Sequence, residues 1–270
     1  MHFSITPESL WRKIGTSSAP VVVDVRKPEA VVASNGLLPG AILRDPRDAA
    51  SWTFEQSSGA VVLACVHGHQ RSQMAAAQLR ARGVDASILA GGTDAWRAAG
   101  LPLVDCGAVR RFASNPPSLW VTRRRPKIDR IACPWLIRRF IDPQARFLFV
   151  DPQQVTDVAR ETGAIPFDIE GVELSHEGER CSFDTILSLF GLENEPSLAR
   201  LALIVRGADT ARPDLAPEAA GLHAVSLGLS ELAGDDDHGL LRSGFAIYDA
   251  LFAWLRFASS ERHNWPAKAA

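Results

Sequence analysis

Val61-Val62-Leu63-Ala64-Cys65-Val66-His67-Gly68-His69-Gln70-Arg71-Ser72 decides the reading of the first part of the chain. Val61–Ala64 is an apolar run that reads as a buried strand, and Gln73 to Arg80 is a helix-forming run. Cys65 therefore falls between a strand end and a helix start. Backbone N–H groups converge there and the helix dipole favours negative charge. Such a setting lowers a thiol pKa and makes a nucleophile. Arg71 adds a fixed positive fork suited to an oxyanion. His67 and His69 are placed to lower the thiol pKa or to act as acids.

Working outward, Val21–Val25, Ala41–Leu43 and Ala86–Leu89 read as further strands. Ser4 to Glu8 suggests a capped helix running through Leu10, Trp11 and Ile14. Ser72 is the expected N-cap of a helix over 73–82, and Thr93 that of a helix from Asp94 to Ala99. This alternation predicts a parallel α/β sheet with flanking helices over residues 1–104. Residues 105–117, with Asn115-Pro116-Pro117, read as a linker. A second α/β domain over 118–270 opens with strands at Leu119–Thr122 and Phe147–Val150 and becomes mostly helical from Ser182. Ile128, Ile131 and Trp135 have helical spacing, although Pro134 must start or kink that helix. Apolar positions 222, 225, 229 and 232 mark one late helix; 241, 245, 248, 252 and 255 mark another.

The chain has 270 residues, enough for about two ordinary domains. A net charge of −2 argues against general nucleic-acid or membrane-surface binding. Cys65, Cys106, Cys133 and Cys181 form no CxxC pair, which fits free thiols in a cytoplasmic, reducing setting. The N-terminus has no basic region followed by an apolar core, so no signal peptide is expected. Leu240 to Phe257 carries Arg242, Asp249 and Arg256 and is not expected to span a membrane.

Asp24-Val25-Arg26, Pro39-Gly40-Ala41, the Cys65 loop, and Gly91-Gly92 with Trp96 occur in the order used by the rhodanese family, which residues 1–104 resemble. The resemblance implies that Cys65 takes sulfane sulfur from a donor such as thiosulfate and passes it to a thiol acceptor, with no cofactor required. It implies that Val66, His67, Gly68, His69, Gln70 and Ser72 cradle the anion, and that Arg71 orients it. Asp24 and Arg26 would make structural polar contacts. Five residues separate Cys65 from Arg71, where sulfurtransferases of the family usually have four. The longer loop resembles that of relatives handling phosphate or arsenate, so other oxyanions come into question.

Lys127 to Asp142, His176 to Asp184, and Gly207-Ala208-Asp209 through Pro217 to Leu222 resemble the C-terminal domain of chromate-resistance proteins, over about 118–258. That resemblance implies a role in chromate resistance, in some members as a chromate-responsive regulator. The regulators' different N-terminal region is replaced here, so DNA binding is not carried over. From the residues themselves, Arg123, Arg124, Arg125, Lys127, Arg130, Arg138 and Arg139 stand against only Asp129. Arg123, Arg124, Lys127 and Arg130 are candidates to bind chromate or another oxyanion; the bland reading is a solvated, ion-paired face. His176, Cys181, Glu218 and His223, with Asp236 and His238, are candidate metal ligands without tight ligand spacing. Asp235-Asp236-Asp237 reads more simply as a helix N-cap, and Cys133 as a buried small hydrophobe. Three functions stay open: a Cys65 sulfurtransferase linked to chromate resistance, a chromate- or chromium-responsive binding protein with a non-catalytic first domain, and a thiol-dependent oxyanion reductase. The reductase would need a resolving thiol, for which Cys106 is the candidate near the first domain.

Overall fold

The computed structural model describes residues 3–54, 59–114 and 116–261. The first domain contains β1 (Ser4–Ile5), α1 (Pro7–Lys13), β2 (Val21–Asp24), α2 (Pro28–Ser34), β3 (Gly36–Leu37), β4 (Ala41–Leu43), β5 (Val61–Ala64), α3 (Gln70–Ala81), β6 (Ala86–Leu89) and α4 (Gly92–Ala98). Five of these strands form a parallel sheet in the order β1-β6-β5-β2-β4.

Strand pleating sorts the central residues onto two faces. Val23, Val25, Val61, Leu63 and Cys65 pack with Ala75, Ala76 and Leu79 of α3. Val22, Val62, Ala64 and Leu89 pack with Leu10, Trp11 and Trp96 on the opposite face. That second face is continuous with the core of the second domain. Trp11 lies 6.3 Å from Phe140 between ring centroids, and Arg256 donates to the carbonyls of Trp11 and Ile14. Gly15 sits at φ 82°, where a Cβ would come within 2.5 Å of Phe252 and 2.7 Å of Phe140. The junction therefore needs a residue without a side chain there.

The segment 105–117 is not an irregular linker. Val104–Asp105 (β7) pairs antiparallel with β3, and Cys106–Phe112 forms helix α5. The Asp105 carboxylate accepts from the N–H of Ala108 at 2.7 Å and caps α5, and the Asp105 N–H donates to Phe190 O. The proline pair stops regular structure only beyond α5, and Asn115 lies outside the described residues.

The second domain has β8 (Leu119–Arg123), α6 (Asp129–Leu136), β9 (Arg146–Val150), α7 (Val155–Thr162), β10 (Ile165–Pro166), α8 (Ser182–Leu189), α9 (Pro196–Asp209), α10 (Ala219–Ala233) and α11 (Asp237–Phe257). Its three strands form a parallel sheet in the order β10-β8-β9. Pro134 neither starts nor ends α6. The helix passes through it and widens into a π turn over Ile137–Ile141, where Asp142 N–H reaches back to Ile137 O. α11 buries Leu241, Phe245, Tyr248 and Phe252 as its spacing predicts. α10 differs: Val225 and Leu232 are exposed, and Leu222, Ser226 and Ser230 face inward. A polar contact fixes this rotation, because Ser226 Oγ accepts from Ile128 N–H at 2.8 Å. No described helix is long and apolar enough to cross a membrane.

Candidate functional site

Cys65 follows β5 directly and is 6% exposed. α3 begins at Gln70, so Ser72 lies inside its first turn and is not the N-cap. From there its hydroxyl reaches the sulfur, with Oγ 3.2 Å from Cys65 Sγ, and also donates to His69 O at 3.1 Å. A hydroxyl has one proton and two lone pairs. It can accept from the thiol and, by rotating, donate to a thiolate. Burial pushes the Cys65 pKa up, but the Ser72 hydroxyl and the N–H groups of Ser72, His69 and Gly68 outweigh it, and the thiol is held below its ordinary value.

The loop is anchored by backbone. α4 begins at Gly92 and not at Asp94, and its N–H groups at Thr93 and Asp94 donate to Cys65 O and Val66 O at 2.9 and 3.0 Å. A Cβ on Gly92, at φ 63°, would lie 2.2 Å from Cys65 O and 2.4 Å from Val66 O. A Cβ on Gly68, at φ 70°, would lie 2.6 Å from Leu89 O. Thr93 is thus not a side-chain cap, because its backbone N–H is used to hold the Cys65 loop.

The loop side chains divide. His67 is exposed and its Nδ1 lies 2.9 Å from Asp94 Oδ2, so it engages α4 and not the sulfur. His69 and Gln70 are exposed, while Val66 is half-buried. Arg71 donates from Nε to Val25 O at 2.7 Å. It lines a cleft of about 420 Å³ between α2, α5 and the second domain, together with Arg44, Arg110 and Cys106; Cys65 does not line it. Cys106 is buried against Val31 and Leu37, a different apolar cluster from that of Cys65. Asp24 and Arg26 form a buried pair at 2.6 Å, and Arg26 also donates to Gly36 O.

The basic cluster of the second domain meets carboxylates that are remote in sequence. Arg123 and Arg130 converge on Asp168, at 2.7 and 3.1 Å. Arg124 pairs with Asp151, Arg125 with Glu231 and Arg139 with Asp249; Lys127 is half-buried. Local charge counting thus overstated the free positive charge available to an oxyanion.

The proposed metal ligands also separate. Cys181 is fully buried and its thiol donates to Asp184, while Glu218 pairs with Arg200. His223 is exposed on α10, Asp236 caps α11, and His238 packs beside Phe149. His176 instead meets acids that spacing did not nominate. Its Nε2 lies 3.3 Å from Asp129 Oδ2, 3.4 Å from Asp168 Oδ1 and 3.2 Å from Asp209 Oδ2.

Asp129 opens α6, Asp168 follows β10, and Asp209 ends α9. Ile128 precedes Asp129 at φ 42°, a strained value for a β-branched residue, and Tyr248 OH donates to its carbonyl. Burial pushes the Asp129 carboxyl up to about 8 despite its His176 hydrogen bond. Burial also pushes Asp168 up, but His176, Arg123 and Ser182 outweigh that and hold it at about 2. Hydrogen bonds to Asp129 and Asp168 raise His176 to about 10. Asp129, His176 and Asp209 are the described residues grouped closely enough to hold a metal ion. Asp209 lies in the quoted Gly207-Ala208-Asp209 stretch, but nothing local marks Asp168.

Residues 120–255 match the family model of the ChrB C-terminal domain, and residues 6–99 match that of the rhodanese-like domain. Protein ChrB of Cupriavidus metallidurans is 40% identical over 134 residues, which is 49% of this chain and 39% of that protein. The chain therefore spans well under half of that relative. A rhodanese-related protein from Thermoplasma volcanium is 25% identical, covering 38% of this chain and 98% of its own, with a TM-score of 0.33. A rhodanese-like domain protein from Staphylococcus aureus is 30% identical, covering 36% of this chain and 91% of its own, with a TM-score of 0.30.

Proposed function

Because the chain belongs to the ChrB C-terminal domain family and carries a rhodanese-like domain before it, we propose that it is a cytoplasmic sulfurtransferase acting through Cys65 in chromate resistance. The supporting observation is the Cys65 sulfur set against Ser72 Oγ and three loop N–H groups that favour its thiolate.

The Cys65 thiolate attacks the outer sulfur of thiosulfate. A new S–S bond forms at Cys65, the donor S–S bond breaks, and sulfite leaves with the electron pair. The persulfide keeps one negative charge, so charge and electrons balance. The loop amides that favour the thiolate favour this anion as well. An acceptor thiolate then takes the outer sulfur and restores Cys65. Arg71, fastened to Val25 O, supplies positive charge beside the loop. Chromate resembles sulfate in charge and shape and is reduced by thiols, which gives sulfur chemistry a place beside the second domain.

The purified chain should transfer sulfur from thiosulfate to cyanide or to a small thiol, and Cys65→Ser should lower the rate by about 10³-fold or more. Absence of transfer under either acceptor, or equal rates in the variant, would contradict the reading. If chromate also binds saturably to a chain that shows no transfer, the binding-protein reading takes its place.

A further inference from the structure

We propose that Asp129, His176 and Asp209 form a binding site for a first-row divalent cation of the zinc type, with Asp168 tying two arginines to its rim. The site does not depend on Cys65 chemistry.

The donor geometry supports a cation in place of a simple ion pair. The ligand atoms of the three residues all lie within 4.8 Å of one another. Charge-assisted N–H···O contacts usually run about 2.7–2.9 Å, and one imidazole N–H cannot serve three carboxylates. The contacts of His176 Nε2 with the carboxylates of Asp129 and Asp209, at 3.3 and 3.2 Å, are longer than that. They match the ligand-to-ligand edge of a tetrahedron, about 3.3 Å for bonds of about 2.0 Å.

A separate observation concerns the rim. Five buried side-chain polar atoms lack a hydrogen-bond partner among the described residues, and three of them sit on Thr122, Arg123 and Arg130. Arg123 and Arg130 both contact Asp168, whereas Thr122, the neighbour of Arg123 on β8, belongs to the other face of the strand. Thr122 is fully buried, and its hydroxyl is one of these orphans. The other two are the Nε atoms of the arginines: Arg130 Nε lies 3.1 Å from Asp168 Oδ2 without hydrogen-bond geometry, and Arg123 Nε has no partner among the described residues. A three-ligand centre keeps open positions for water or an oxyanion, and such a ligand supplies the acceptor that the Arg123 Nε–H lacks.

The donor set defines the ion class. Nitrogen and carboxylate oxygen suit zinc, manganese, iron and cobalt, while a soft monovalent ion would call for thiolate. Cys181 is committed to Asp184, and Cys133 is fully buried on α6. Asp129 is 2% exposed and Asp168 3%, whereas the His176 side chain is 41% exposed, which gives an ion a way in.

The test uses the full chain bearing Cys65→Ser, so that the loop thiolate cannot capture metal. After chelator treatment it is titrated with Zn²⁺ by calorimetry and with Co²⁺ by visible absorption. The expected results are one Zn²⁺ per chain, about tenfold or greater loss of affinity in both His176→Ala and Asp209→Asn, and cobalt d–d bands without a sulfur-to-metal charge-transfer band. The cobalt spectrum reads the unaltered centre, so a variant that fails to fold does not remove the test. Absence of saturable uptake, unchanged affinity in both folded variants, or a sulfur charge-transfer band would overturn the proposal.

Discussion

The Cys65 loop and the His176 centre are built on opposite plans. The first is made of backbone: N–H groups of Gly68, His69 and Ser72 face the sulfur, and the amides of α4 hold the loop carbonyls. The second is made of side chains from separate elements, with Asp129, Asp168, His176 and Asp209 drawn together from four places in the chain. A backbone cradle depends on the absence of side chains at two glycines. A charged cluster depends on the balance of its buried ions.

Gly92→Ala presses hardest on that contrast. The added Cβ meets two loop carbonyls at a φ that L-residues avoid, so it should destabilise the chain by about 3 kcal/mol. It should also slow the alkylation of Cys65 by iodoacetamide relative to the wild type, because the loop amides that favour the thiolate are displaced. A wild-type denaturation midpoint together with wild-type alkylation would break the backbone account.

Asp168→Asn probes the other plan. Arg123 and Arg130 would lose their shared carboxylate in a buried setting, at a cost of about 3 kcal/mol. Cys65 alkylation should stay unchanged, because the His176 centre contributes nothing to the loop amides. Parallel loss of stability and thiol reactivity would show that the two regions are not separate.

Ser72→Ala is the mildest. It removes the hydroxyl that favours the thiolate, so the Cys65 pKa rises. The midpoint of alkylation against pH should move upward, and the rate at pH 7 should fall a few-fold. A downward move would assign the lowered pKa to another group.

The same contrast explains what the sequence made legible. A backbone cradle needs contiguous residues, so strand, thiol, glycine and helix start appear in order between Val61 and Ala81. The parallel sheet and the two-face sorting of its strands were likewise readable from apolar runs. Helix starts at Ser72 and Thr93 were misplaced because those residues perform other tasks, one facing the sulfur and one donating from its backbone. α5 was missed because a single carboxylate, Asp105, caps it beside a proline pair. The apolar residues of α10 predict its buried face only in part: Leu222 is buried and Leu229 packs against the core, while Val225 and Leu232 are exposed because Ser226 is drawn inward by Ile128 N–H. Of the His176 centre, only His176 stands out as a ligand type; Asp129 and Asp209 lie within the stretches that carry the family resemblance, and nothing local marks Asp168. The acids of the centre come from 129, 168 and 209, and the arginines that seemed free take partners from equally distant positions.

The central claim is that the backbone loop makes Cys65 a sulfur-accepting nucleophile. Mass spectrometry of the intact chain and its peptides after thiosulfate treatment tests it most directly. The account predicts a gain of one sulfur atom on the peptide carrying Cys65, removed by a small thiol, with none on Cys106, Cys133 or Cys181. An unmodified Cys65 in a folded chain that still alkylates rapidly, or a sulfur gained at another cysteine, would contradict it.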